Sequence, residues 1–178
     1  MATPEITGSS TMQEVLDAFP GAQRALMRRY HIGGCSSCGF DPSDRLIDVL
    51  KKHNVLDVGE VIAHVKQSHE EEQRLQMDPL ELSQVLQGDT PPRLIDVREE
   101  HEQSIAKIDG SLPATEELLQ EIMETWARDA PIVTYCHHGI RSLDAASYLM
   151  GHGLTNVRSL RGGIDAWAEQ VDPSMARY

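Results

Sequence analysis

Pro131-Ile132-Val133-Thr134-Tyr135-Cys136-His137-His138-Gly139-Ile140-Arg141-Ser142 runs into Leu143-Asp144-Ala145-Ala146-Ser147-Tyr148-Leu149-Met150. The proline-opened run of β-branched and apolar residues reads as a buried strand, and the Ala/Leu-rich segment after it has the apolar spacing of a helix. Cys136 therefore falls where a strand gives way to a helix. A helix N-terminus presents unpaired N–H groups and a partial positive charge, which favour the thiolate, the nucleophilic form of cysteine. Gly139 lets the loop turn successive N–H groups inward as an anion-binding nest. Arg141 adds a fixed charge expected to face the same centre, and Ser142 is a candidate N-cap. Alone, Cys-x4-Arg is a weak sign, because a free cysteine at a strand end is often only a small buried hydrophobe. The strand before it, the glycine within it and the helix after it make it a candidate site.

Four residues separate Cys136 from Arg141. Cysteine phosphatases use Cys-x5-Arg, a loop wide enough to wrap a phosphate, whereas the smaller ring suits one sulfur atom carried on the cysteine. Leu94-Ile95-Asp96-Val97-Arg98-Glu99, the Cys136 loop and Leu160-Arg161-Gly162-Gly163-Ile164-Asp165-Ala166-Trp167 follow in that order. Together they resemble a single-domain rhodanese, a sulfurtransferase, over about residues 77–178. Strands alternating with helices point to an α/β fold, a parallel sheet with helices on both faces. The resemblance implies Cys136 and Arg141 as the catalytic pair, with His137, His138, Gly139, Ile140 and Ser142 as active-site loop and substrate-binding residues. Asp96, at the strand end where open α/β sheets assemble their sites, would form a supporting pair with Arg98; the plainer reading is a strand-end aspartate in a turn. His137 and His138 read either as pocket wall and substrate contacts or as a general base. Gly162-Gly163 reads either as a close approach to the Cys136 loop or simply as a tight turn. Ile105-Ala106-Lys107-Ile108-Asp109-Gly110-Ser111 stands where a rhodanese usually reads Gly-His-Ile-Pro-Gly-Ala, without that histidine and proline.

The implied chemistry is transfer of sulfane sulfur from thiosulfate or a persulfide donor, through a Cys136 persulfide, to a thiol, cyanide or protein acceptor. It needs no cofactor and no metal. The alternative is a non-catalytic persulfide carrier or redox sensor acting on a docked protein partner; a phosphatase or arsenate reductase is disfavoured by the short loop.

Formal charge is -12, from 16 basic and 28 acidic residues, and aromatics make up 4%, so the basic footprint of a nucleic-acid binder is missing. The N-terminus has neither a positive n-region nor an apolar h-region, and no apolar run approaches membrane-spanning length. A cytoplasmic address without a membrane partner is the expectation. Three cysteines, an odd count, speak against a secreted disulfide framework.

The N-terminal part reads as a small all-α domain over residues 6–68, followed by a linker over 69–76 and the rhodanese-like domain over 77–178. Thr11-Met12-Gln13-Glu14 matches a capping box ahead of Met12, Val15, Leu16 and Phe19 at helical spacing. Pro20 opens a second helix with Ala22, Ala25, Leu26 and Met27; Asp41-Pro42-Ser43 announces a third with Leu46, Ile47, Val49 and Leu50; Asp57 and Glu60 cap a fourth with Val61, Ile62 and Val65. Between the second and third lies Gly33-Gly34-Cys35-Ser36-Ser37-Cys38. Cys35 and Cys38 are a redox or sulfur-relay pair, metal ligands completed across a two-fold dimer, or inert thiols; the sequence sets no oligomeric state. Residues 6–66 resemble a small helical domain of unknown function, a version of which precedes proteins of iron-sulfur repair and disulfide reduction. That likeness implies a sulfur or redox context.

Overall fold

A computed structural model describes residues 5–33 and 39–178. The chain divides into two compact units, Met1–Arg74 and Leu75–Tyr178. Cys35 and Cys38 lie outside the described residues.

The first unit is helical: α1 (Met12–Ala18), α2 (Ala22–Tyr30), α3 (Leu46–Lys52) and α4 (Val58–Leu75). The capping box at α1 is formed, with Glu14 N donating to Thr11 Oγ1 at 3.2 Å and Thr11 N to Glu14 Oε2 at 2.7 Å. Met12, Val15, Phe19, Leu26, Leu46, Leu50, Val61 and Val65 meet in one buried core, while Met27 remains exposed. The third helix begins later than Asp41-Pro42-Ser43 suggests. Asp41 Oδ1 accepts from Ser43 N and Oγ at 2.9 and 2.6 Å, a local turn that competes with capping. Asp57 does cap α4, accepting from Glu60 N at 2.9 Å. The segment expected as a linker over 69–76 is instead helical as far as Leu75, and Gln76–Met77 joins the sheet as a strand. Its Glu, Gln and Arg residues are good helix formers, and Gln67 donates to Glu71 at i,i+4 while Arg24 holds Glu72 at 2.8 Å.

The second unit is the expected α/β architecture. In chain order it comprises β1 (Gln76–Met77), α5 (Pro79–Val85), β2 (Arg93–Asp96), α6 (Glu100–Ile105), β3 (Leu112–Pro113), α7 (Glu116–Thr125), β4 (Ile132–Tyr135), α8 (Ile140–Gly151), β5 (Val157–Leu160) and α9 (Gly163–Gln170). The strands form one sheet in the order β1-β5-β4-β2-β3, all pairs parallel. Successive side chains alternate faces. Leu94, Val133, Tyr135 and Leu160 pack with Leu82 of α5 and Ile164 and Trp167 of α9, while Ile95, Ile132 and Val157 pack with Ile122 of α7 and Ala146 and Leu149 of α8. Both faces are thus covered, which explains why β4, the middle strand, is buried at every position and carries a single aliphatic-sized polar residue, Thr134, whose hydroxyl is satisfied by Ser142 O. Pro113 sits on the edge strand β3, where its missing N–H breaks no ladder. No helix among the described residues is long and apolar enough to cross a membrane.

Parallel strands put all their C-terminal ends on one edge. The loops after β2, β4 and β5 emerge there together, carrying Asp96 and Arg98, the Cys136 loop, and Gly162-Gly163.

Candidate active site

Cys136 follows β4 directly and is 1% exposed. Its Sγ accepts the Gly139 N–H at 3.1 Å, and Ser142 Oγ lies 3.5 Å from it. The N-cap of α8 is Gly139, at φ 87°, so the loop closes one turn earlier than a Ser142 cap would require. Ser142 falls inside the first turn instead, fully buried, accepting from Ser159 Oγ at 2.9 Å while facing the sulfur. A relay of two hydroxyls from β5 to Sγ results, and Ser159 is a participant that no sequence motif marked.

The end of β5 fixes the loop from outside. Ile164 N donates to Cys136 O at 2.8 Å and Asp165 N to His137 O at 3.1 Å. In trans peptides N–H and C=O point oppositely, so anchoring these two carbonyls to the start of α9 turns the His137 and His138 N–H groups away from α9. The approach is possible only without side chains at the contact. A Cβ on Gly163, at φ 63°, would stand 2.3 Å from His137 O and 2.4 Å from Cys136 O. Gly162-Gly163 therefore makes the close approach as well as the turn.

Arg141 takes a partner the sequence did not suggest. Its Nη1 and Nη2 fork onto Glu102 Oε2 and Oε1 at 2.7 and 2.6 Å, a bidentate pair from α8 to α6. The Glu102 hydrogen bonds raise the Arg141 pKa against the opposing effect of burial, and Cys136 adds a smaller upward contribution. Glu102 is held down at about 2, first by Arg141, against burial, and also by the Glu99 N–H. The only sequence trace of Glu102 is its place three residues after Glu99 in the capping box of α6, which is formed.

Asp96 and Arg98 do pair. Arg98 Nε and Nη2 donate to the two Asp96 oxygens at 2.9 and 2.6 Å, its side chain fully buried. Further Arg98 bonds reach Ala106 O at 2.8 Å, Glu102 O at 3.3 Å and Tyr178 Oη at 2.6 Å. Burial works against the charge, and the Asp96 and Tyr178 bonds overcome it to raise the pKa. One guanidinium thus ties the β2 end to α6 and to the segment after it, the stretch lacking the family's histidine and proline. There Ile108 N donates to the buried Tyr135 Oη at 3.3 Å, and burial pushes that phenol up to about 12.

His137 and His138 stack with ring centroids 3.9 Å apart, and Tyr178 stacks on His137 at 4.2 Å. Burial, then the neighbouring His138, lowers the His137 pKa. Among the described residues the hydrogen-bond partners of Cys136 Sγ are Gly139 N and Ser142 Oγ rather than either imidazole, and His138 Nδ1 lies 3.9 Å from Asp165. Ile140 is exposed at the loop edge. Among the described residues no cluster of three or more His, Cys, Asp or Glu side chains could hold a metal ion.

Residues 78–170 match the rhodanese-like domain family, just over half of the chain. The chain belongs to the rhodanese-like family. A sulfurtransferase of Allochromatium vinosum is 36% identical over 101 residues, 57% of this chain and 94% of that protein. The thiosulfate sulfurtransferase GlpE of Shewanella oneidensis is 36% identical over 77 residues, 43% of this chain and 76% of that one. The probable adenylyltransferase/sulfurtransferase MoeZ of Mycobacterium tuberculosis is 35% identical over 102 residues, 56% of this chain but 26% of its own length. The chain therefore spans about a quarter of this last relative. The second unit carries this rhodanese-like domain, with the Cys136 loop inside the matched residues.

Proposed function

We propose that the protein moves sulfane sulfur from thiosulfate or a persulfide to a thiol, cyanide or protein acceptor through a persulfide on Cys136. The observation that carries this reading is the buried Cys136 Sγ, held at a strand-to-helix junction by the Gly139 N–H, with the loop carbonyls drawn off by α9. In the first step the Cys136 thiolate attacks the outer sulfur of the donor. The donor's S–S bond breaks as the new one forms, and sulfite or a thiolate leaves with the electron pair. The loop N–H groups, with a weaker share from the Glu102-paired Arg141, would stabilise the negative charge on the terminal sulfur, as an oxyanion hole does in acyl transfer. An acceptor nucleophile then attacks that terminal sulfur and returns Cys136 to the thiolate. His137 and His138 form pocket wall, since the thiolate needs no base beside it. Asp96 and Arg98 hold the loop after β2 in place.

Intact-protein mass spectrometry tests this directly. Reduced protein is incubated with thiosulfate or with cysteine persulfide, in parallel with Cys136→Ser. Gain of one sulfur that disappears in Cys136→Ser, and is lost on adding a thiol, is the expected result. No gain from either donor would overturn the proposal.

A further inference from the structure

Three arginines of the second unit come with their own carboxylates. Arg98 is forked onto Asp96, Arg141 onto Glu102, and Arg177 onto Asp165 at 2.8 and 3.0 Å. The pair on Arg141 matters most, because Arg141 is the guanidinium of the Cys136 loop itself. Its side chain is 46% exposed while that of Glu102 is 10% exposed, so the carboxylate is the better-fixed partner and the arginine is aimed at it. A site with Arg141 unpaired would suit a donor carrying charge at its reacting end. Thiosulfate is such a donor: two negative charges arrive on a few atoms, and sulfite takes two away. An alkyl persulfide brings at most one and leaves as a thiolate that water can protonate.

We propose that Glu102 is a specificity-determining residue that holds Arg141 neutralised, so that Cys136 takes sulfur from a persulfide in preference to dianionic thiosulfate. This rests on Cys136 being a sulfur acceptor, as argued above, and narrows its donor class. The favoured step is Cys136–S⁻ with RS–SH giving Cys136–S–SH and RS⁻. The donor S–S bond breaks, one S–S bond forms, and the thiolate is protonated by solvent. The disfavoured step, Cys136–S⁻ with S–SO3²⁻ giving Cys136–S–S⁻ and SO3²⁻, balances equally well but brings more charge past a compensated arginine. A unit charge about 5 Å from a dianion in water-like surroundings changes its binding by roughly tenfold. The net charge of -12 adds a general bias against dianions.

The test is the rate of Cys136 loading by cysteine persulfide and by thiosulfate in the full chain, for parent, Glu102→Gln and Glu102→Asp, each checked for folding by circular dichroism. The parent is expected to favour the persulfide by tenfold or more in kcat/KM. Glu102→Gln should shrink that ratio by roughly tenfold, through a lower KM for thiosulfate, and Glu102→Asp should move it back. Loss of folding need not end the test, because the parent alone supplies a second measurement. Thiosulfate loading should hold level or rise with added salt, since no unpaired arginine is being screened. An unchanged ratio in folded Glu102→Gln, a parent that prefers thiosulfate, or a steep fall of its thiosulfate rate with salt would overturn this inference while leaving sulfur transfer intact. No loading from either donor would instead overturn the function on which it rests.

Discussion

Gly163→Ala should damage the Cys136 loop far more than the loss of one glycine's freedom accounts for. Two effects add. An L-residue at φ 63° pays roughly 1–2 kcal/mol for the left-handed backbone. The new Cβ would also stand 2.3–2.4 Å from the carbonyl oxygens of His137 and Cys136, backbone atoms that cannot rotate aside. Relief requires α9 and the loop to separate, at the expense of the bonds from Ile164 N and Asp165 N, worth about 1 kcal/mol each. The sum is about 3–4 kcal/mol. With a urea slope of roughly 2 kcal/mol per molar, the midpoint of the second unit should fall by about 2 M. Gly110→Ala is the control, because Gly110 has φ 78° with nothing within 4 Å of the added Cβ. It should show the backbone effect alone, about 1–2 kcal/mol. The assay is urea unfolding of the full chain, followed by Trp fluorescence, combined with the rate of Cys136 loading. Gly163→Ala should lose both stability and loading, and Gly110→Ala about half as much stability or less and no loading. Equal losses in the two variants would refute the claim that loop contact makes glycine necessary at 163.

Asp96→Asn should cost about 3–5 kcal/mol, since it leaves the fully buried Arg98 guanidinium without its carboxylate; urea unfolding checks it, and a loss below about 1 kcal/mol would mean the pair contributes nothing to holding the β2 loop. Glu102 should give the second unit an acid-sensitive stability. Its folded pKa of about 2 lies below the unfolded value near 4.3, so its contribution is fully present above about pH 5 and disappears as pH falls toward 2. Urea midpoints measured from pH 7 to pH 2 should fall less in Glu102→Gln than in the parent; parallel curves would contradict the ion pair. His137 should titrate below the ordinary histidine value in an NMR pH series, because burial and His138 both oppose its charge. If Cys35 and Cys38 consume the persulfide, Cys136–S–SH and two thiols give Cys136–SH, hydrogen sulfide and a Cys35–Cys38 disulfide. Loaded parent should then release one sulfide per chain without added thiol, and Cys35→Ser/Cys38→Ser none.

What was legible in the sequence was whatever a short window determines. The Cys136 loop is strand, glycine turn and helix within twenty residues, and the Thr11-Glu14 capping box is four residues long, so both could be read and both are formed. Strand β1 could not be read, because two residues show no alternation and Gln76–Met77 becomes a strand only by pairing with β5. Helix α6 is six residues long and polar, below the length at which periodicity says anything. Arg141 was legible as a cation but not as half of an ion pair, since Glu102 is 39 residues away and only the parallel arrangement of β2 beside β4 brings their following loops together. Ser142 shows the same limit from the other side. A serine near a helix start suggests a cap, yet Gly139 takes that position at φ 87°, where the turn after β5 crowds it: an added Cβ would stand 3.0 Å from Gly162 N and 3.1 Å from Leu160 O. The proposed nucleophile was therefore legible in the local chain, whereas its surroundings, and with them the proposed choice of donor, depend on which loops the sheet order makes neighbours. The resemblance points to Cys136 alone, whereas the Glu102–Arg141 pair exists only because the sheet sets α6 beside the start of α8.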